Sequence, residues 1–116
     1  MTSTFSREHP VNLVRGHLES RGLQVLDQRW RYSFGDLDLV AADQGVFVAC
    51  AVRVRRPRVN GDPAHLSEQK VRLLRRLAVR WMQEHAVRYD QVRADVAVVS
   101  YEGTGGYTIE HVKGVG

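Results

Sequence analysis

Gly35-Asp36-Leu37-Asp38-Leu39-Val40 and Val46-Phe47-Val48-Ala49-Cys50-Ala51-Val52-Arg53-Val54-Arg55-Arg56 are two strand-like runs joined through Asp43-Gln44-Gly45, and their reading decides the fold. Alternate side chains of a strand share a face, so Asp36 and Asp38 are expected on one side and Leu37, Leu39 and Ala41 on the other. In the second run Val46, Val48, Cys50, Val52 and Val54 form one apolar face, with Phe47, Ala49, Ala51, Arg53 and Arg55 opposite. Asp43-Gln44-Gly45 has the composition of a tight turn. A hairpin through it brings acidic and basic residues onto a common sheet face.

Upstream of the hairpin, Pro10 suits a first helical turn and Gly22 a C-terminal cap, which predicts a helix from about Pro10 to Arg21. Val11, Val14 and Leu18 recur at helical spacing and give that helix its sheet-facing stripe. Leu23 to Tyr32 reads as a strand with a bulge, because its alternation shifts phase after Val25. Ser33-Phe34-Gly35 then turns into the acidic strand. Downstream, Pro57 to Pro63 reads as a basic loop, and Ser67 is an N-cap for a long helix. Val71, Leu74, Ala78 and Trp81 form the apolar stripe of that helix, while Arg72, Arg76 and Arg80 make an i, i+4 row elsewhere on it. Val92 to Tyr101 and Tyr107 to Val112 supply two further strands. The order is α-β-β-β-α-β-β, a mixed α/β sheet flanked by helices, and the helix between the third and fourth strands permits a parallel crossover.

A chain of 116 residues with 43% hydrophobic content suits one domain spanning residues 1–116 with a modest core. Residues 1–9 and 113–116 are expected to be loose. The single cysteine, Cys50, excludes an intrachain disulfide and suits a reducing, cytoplasmic setting. No stretch approaches the roughly 20 apolar residues needed to cross a bilayer, so no membrane partner is expected. The five histidines show no metal-ligand spacing with one another or with Cys50. Neither Ser33 nor Ser67 carries the local signature of an activated nucleophile. Net charge is +4, but from Arg53 to Arg80 nine basic residues face only Asp62 and Glu68. An anionic partner follows from that concentration.

Five stretches together carry a family resemblance: Leu18 to Leu26, Arg29-Trp30-Arg31, Gly35 to Val40, Arg53-Val54-Arg55-Arg56, and the helix from Lys70 to Trp81. In order and spacing they resemble the YraN-like family of small bacterial proteins, which implies the restriction-endonuclease-like PD-(D/E)xK fold. In that family the second run normally reads Glu-Val-Lys before a basic pair, where this chain has Ala51-Val52-Arg53. Asp38 matches the family's metal-binding Asp, Asp36 stands where a Glu is usual, and Pro10-Val11 replaces a Gly-Glu pair. The resemblance thus implies a nuclease fold with a degenerate catalytic motif.

Phosphodiester hydrolysis on this fold needs carboxylates to hold Mg²⁺ or Mn²⁺ and a Lys to neutralise developing charge. The resemblance assigns Asp38 as residual metal ligand, Asp36 as its helper, Arg53 as the vestigial counterpart of the Lys, and Lys70 as a phosphate contact. Ala51 offers no oxygen, and a guanidinium, as at position 53, does not give up its proton to serve as a base. Losing one well-placed electrostatic group costs about 10²–10³ in rate. From the residues alone, the plainer reading of Asp36 and Asp38 as a solvated strand edge or as ion pairs with Arg53 and Arg55 is favoured over a metal site.

The favoured reading is a DNA- or RNA-binding protein whose catalysis is lost or much reduced. Arg53, Arg55, Arg56, Arg58, Lys70, Arg72, Arg76 and Arg80 are its candidate contacts, against the plainer reading that they solubilise the domain. Trp30, Tyr32 and Phe34 are candidates for stacking on unpaired bases, or else core and turn residues. Two rivals stand beside it: an active Mg²⁺- or Mn²⁺-dependent endonuclease with a replacement carboxylate from Asp36, Asp62 or Glu68, and a non-catalytic interaction scaffold, which could be a homodimer.

Overall fold

The computed structural model describes residues 8–115. Its elements are α1 (Pro10–Ser20), β1 (Gln24–Tyr32), β2 (Gly35–Asp43), β3 (Val46–Val54), α2 (Glu68–Glu84), β4 (Gln91–Tyr101) and β5 (Tyr107–Val112). The predicted element order is reproduced, with boundaries within about three residues. The five strands form one sheet in the order β1-β2-β3-β4-β5. β1, β2 and β3 are an antiparallel meander, β4 runs parallel to β3 after the α2 crossover, and β5 returns antiparallel to β4.

Both helices end or begin as their sequences require. Gly22 adopts φ +90°, a left-handed conformation that costs glycine nothing. This lets Leu23 N–H reach the Leu18 carbonyl at 3.1 Å and Gly22 N–H reach that of Glu19 at 3.1 Å, a Schellman closure of α1. At the other helix the Ser67 hydroxyl accepts from Lys70 N–H at 3.1 Å. The β2–β3 turn is the two residues Gln44 and Gly45, both with positive φ, whose twist matches that of the strands they join.

The helices cover opposite faces. Val11, Val14 and Leu18 of α1 pack with Leu39, Ala41, Val48, Cys50, Ala97 and Val99. Val71, Leu74, Leu77, Ala78 and Trp81 of α2 pack with Phe47, Ala49, Ala51, Val96 and Val98 on the other face. Strand β3 alternates as expected, and both of its faces are buried. Burial pushes the Cys50 thiol far above its ordinary pKa, so it is an inert core group.

Strand β2 departs from the expected alternation. Leu37 and Val40 join the α2-side core, whereas Leu39 and Ala41 join the α1 side, so the phase slips between Asp38 and Leu39. The cause lies opposite. Gln28 pairs with Leu39 and Trp30 with Leu37, but Arg29 between them has φ +54° and leaves the ladder irregular at the step facing Asp38. The β1 bulge itself falls between Val25 and Asp27, where it was expected.

That bulge presents Asp27 to α2, where its carboxylate accepts the Trp81 indole N–H at 2.8 Å. Asp27→Ala leaves the buried indole donor unsatisfied and is expected to cost about 1–2 kcal/mol, to be read from urea unfolding followed by tryptophan fluorescence.

Both described ends make backbone contacts with the domain. His9 is the N-cap of α1, its Nδ1 accepting from Val11 N–H at 3.1 Å. At the C-terminus Gly114 N–H donates to Asp95 at 3.0 Å and Val115 N–H to the Ala94 carbonyl at 2.9 Å. Residues 1–7 and 116 lie outside the described residues.

Candidate nucleic-acid interface

The β2–β3 ladder stops at the Leu39–Cys50 pair. Beyond it the strands separate, and the Asp38 carboxylate takes the place of a backbone acceptor by receiving Val52 N–H at 2.8 Å. The opening beside Asp38 is a cleft of about 180 Å³ lined by Asp36, Asp38, Arg29, Arg31, His9 and Val11. Burial pushes the Asp38 carboxyl above its ordinary value; the Val52 hydrogen bond opposes this, Asp36 adds to it, and the charges of Lys70 and Arg53 pull the other way. Asp36, Asp38, Arg53 and Lys70 thus form one electrostatic neighbourhood. Arg29 and Arg31 were not singled out from the sequence as site residues; the signal was their alternation with Trp30 and Tyr32, which sends the basic and aromatic residues to opposite faces of β1.

A carboxylate with a raised folded pKa contributes stability below its unfolded value, and that contribution is lost as pH rises through the folded value. At neutral pH, therefore, ionised Asp38 weakens the fold. Asp38→Asn keeps an oxygen for Val52 N–H and removes the buried charge, so its melting temperature at pH 7 is expected to equal or exceed that of the wild type. Asp38→Ala, which leaves the donor without a partner, is expected to fall below it.

The donor set does not fit the divalent centre that the fold implies. Asp36 and Asp38 are the two carboxylates at the cleft, Ala51 buries a methyl group in the α2-side core, and positive charge surrounds the pair from Arg29 and Arg31 at the cleft and from Lys70 and Arg53 nearby. Among the described residues no three His, Cys, Asp or Glu side chains form a group that could hold a metal ion. Mg²⁺ keeps several waters and needs only one or two protein carboxylates, so the misfit lies in the missing oxygen at Ala51 and in the positive charge crowded around Asp36 and Asp38.

The basic residues separate into groups. Arg53 is half-buried and, with Arg55 and Arg56, lines a second cavity of about 620 Å³ between the Arg55–Pro63 loop and the end of β4. Arg55 turns away from the acidic strand, contrary to the common acidic and basic face expected. Its Nε donates to Ser100 Oγ at 3.2 Å, and its guanidinium lies 3.7 Å from Glu110 on β5. Arg56 and Arg58 are exposed on the loop, and Lys70 is half-buried in the first turn of α2. Of the helical row, Arg72 is exposed, Arg76 sits 4.6 Å above the Phe34 ring and Arg80 5.8 Å from that of Tyr32. The rings themselves form a ladder, Trp30 stacked on Tyr32 at 5.3 Å and Tyr32 edge-on to Phe34 at 5.2 Å, half-buried against the α2-side core. Their faces are largely engaged by one another and by arginine.

A further ionic cluster escaped the sequence reading. Asp95, fully buried in β4, accepts from Arg93 at 2.8 and 3.0 Å and from Gly114 N–H at 3.0 Å, with His111 Nε2 2.8 Å away. Arg93 also donates to Asp43 at 2.9 Å, which lies 3.4 Å from Lys113. The available signal was one acid inside the otherwise apolar run Ala94-Asp95-Val96-Ala97-Val98-Val99.

Fold and surface together define an α/β/α sandwich of restriction-endonuclease-like order with a basic end. The chain belongs to the YraN-like family: the family described as "Uncharacterised protein family UPF0102" matches residues 12–99. Among similar proteins, a UPF0102 protein of Arthrobacter sp. (strain FB24) is 37% identical over 105 residues, covering 90% of this chain and 89% of the relative. One from Beutenbergia cavernae is 40% identical over 100 residues, covering 85% of each. One from Frankia casuarinae is 39% identical over 99 residues, covering 84% of each. No helix among the described residues is long and apolar enough to cross a membrane.

Proposed function

We propose that this protein binds DNA or RNA through the end of the sheet where β3 and β4 finish and α2 begins, with metal-dependent cleavage lost or much reduced. The observation that carries this reading is the gathering of Arg53, Arg55 and Arg56 on one opening and of Arg29 and Arg31 on the other, with the charge of Lys70 felt at Asp38, while among the described residues no three groups able to hold a metal ion come together. Arginine forks match phosphate geometry bidentately, and the half-exposed Arg55–Glu110 contact is weak enough to be exchanged for phosphate. Arg76 and Arg80 brace the aromatic ladder and add charge to the flank without reading bases.

The test is fluorescence anisotropy with labelled single-stranded, duplex and branched DNA and with RNA, across 50–200 mM salt, beside a cleavage assay in Mg²⁺ or Mn²⁺ with EDTA and Asp38→Ala controls. The expected result is affinity that falls steeply with salt, by about 10²-fold or more over that range if four or more phosphates are contacted, and no cutting. A flat salt response would overturn the binding reading. Cutting that needs metal and disappears in Asp38→Ala would instead establish an active endonuclease.

A further inference from the structure

The cavity under the Arg55–Pro63 loop has a composition that a mere backbone track would not require. Its volume of about 620 Å³ lies in the range of small-molecule sites and far exceeds what one phosphate fills. Arg53, Arg55 and Arg56 bring three guanidinium groups to it, none of which can lose its charge. Its remaining wall is mixed: Pro57, Val59 and Pro63 are apolar, with Val59 63% exposed although it is a large aliphatic side chain, and Asp62 adds one carboxylate, which accepts Ala64 N–H at 3.0 Å. Asn60 adds an amide that both donates and accepts, and Tyr101 adds a ring at the end of β4. Three guanidinium groups outnumbering a single carboxylate, together with apolar surface and an adaptable amide, complement a molecule with an anionic end and a flat, hydrogen-bonding end.

We propose that this cavity binds a single nucleoside 5′-monophosphate unit, its phosphate on Arg53, Arg55 and Arg56 and its base between the Val59 side of the loop and Tyr101. The inference rests on the nucleic-acid-binding reading and narrows it: the preferred ligand carries an accessible phosphorylated nucleotide, either free or at the end of a strand. Continuous duplex, whose bases are stacked and paired, cannot fill the apolar half of the site. Arg53 faces both this cavity and Asp38, so a strand whose end is seated here would run on past Lys70 and α2.

Titrations of the isotope-labelled protein with inorganic phosphate, adenosine, adenosine and uridine 5′-monophosphates, and short oligonucleotides with and without a 5′-phosphate test this by NMR. The monophosphates are expected to bind at least tenfold more tightly than phosphate or nucleoside, with the largest shifts at Val59, Asn60, Gly61 and Ser100. Arg56→Ala, at an exposed position, is expected to weaken them by about tenfold while leaving the circular dichroism unchanged. A 5′-phosphate that improves oligonucleotide binding by a similar factor identifies the strand end as the source; oligonucleotides indifferent to it, with tight monophosphates, identify the free nucleotide. Equal affinity for phosphate and monophosphates, or shifts confined to α2, overturns the inference. Salt-dependent polymer binding without monophosphate binding would sink this inference alone, whereas monophosphate binding without polymer binding would sink only the broader reading.

Discussion

Asp95→Ala is expected to lose about 3–5 kcal/mol of folding stability, the largest effect of any single substitution considered for this protein. The residue has no exposed surface and is the hub of the Arg93, His111 and Gly114 contacts. Removing it strands the Arg93 guanidinium between Asp43 and an apolar strand and frees Gly114, the first of two backbone hydrogen bonds that hold the C-terminus to β4. Asp95→Asn, which retains an acceptor but not the charge, is expected to cost roughly half as much. Burial by itself would raise the Asp95 pKa, but the hydrogen bonds from His111, Arg93 and Gly114 N–H and the Arg93 charge together hold it below the usual carboxylate range. Its contribution is therefore fully present above the unfolded value of about 3.9 and disappears as pH falls through the lower folded value. Urea midpoints at pH 7 and pH 3 check both points. The gap between wild type and Asp95→Asn should narrow at the lower pH, and a gap that stays constant would mean the charge is not what stabilises the site.

The contrast between Asp95 and Asp38 shows what could be read in advance. Element order, the α1 and α2 stripes, the Ser67 cap, the Gln44-Gly45 turn and the β1 bulge are local matters of period, capping and backbone conformation, and each was legible in its own stretch of sequence. The phase slip in β2 was not. It depends on Arg29, in another strand, adopting a left-handed conformation that arginine disfavours. The alternation rule placed Asp36 and Asp38 together correctly but assigned Leu37 the wrong neighbours. Arg55 was misplaced for a similar reason: its face was legible, but its choice of Ser100 and Glu110 depends on β4 and β5 arriving on that side of β3. Asp95 was invisible because a lone acid in a strand reads as an edge position until its three partners, Arg93, Gly114 and His111, are brought to it by pairing. The family resemblance was right about the fold. It drew attention to Asp38, Arg53 and Lys70, which the structure brings into one electrostatic neighbourhood, and it gave no hint of the larger cavity under the loop.

Replacing Arg53, Arg55, Arg56 and Arg58 together by Ala is expected to reduce nucleic-acid affinity by about 10²–10³ at 0.15 M salt. Binding that releases counterions varies as salt to the power of about −0.9 per phosphate contact, so each contact is worth roughly fivefold at this ionic strength. Four contacts give nearly 10³. The lower bound applies because Arg55 must first give up Ser100 and Glu110. The slope of log K against log salt should flatten by about 2–4 in the same experiment, which separates lost phosphate contacts from a general loss of structure. Arg72→Ala should cost only about fivefold, since it removes a single exposed charge on the flank. Arg88→Ala tests locality: Arg88 is 90% exposed, pairs weakly with Asp90 at 3.9 Å and follows the far end of α2. Its loss should leave affinity within about twofold. If Arg88→Ala and the loop substitutions instead weakened binding equally per charge removed, attraction would follow net charge alone, and the end of the sheet where β3 and α2 meet would have no special claim as the interface.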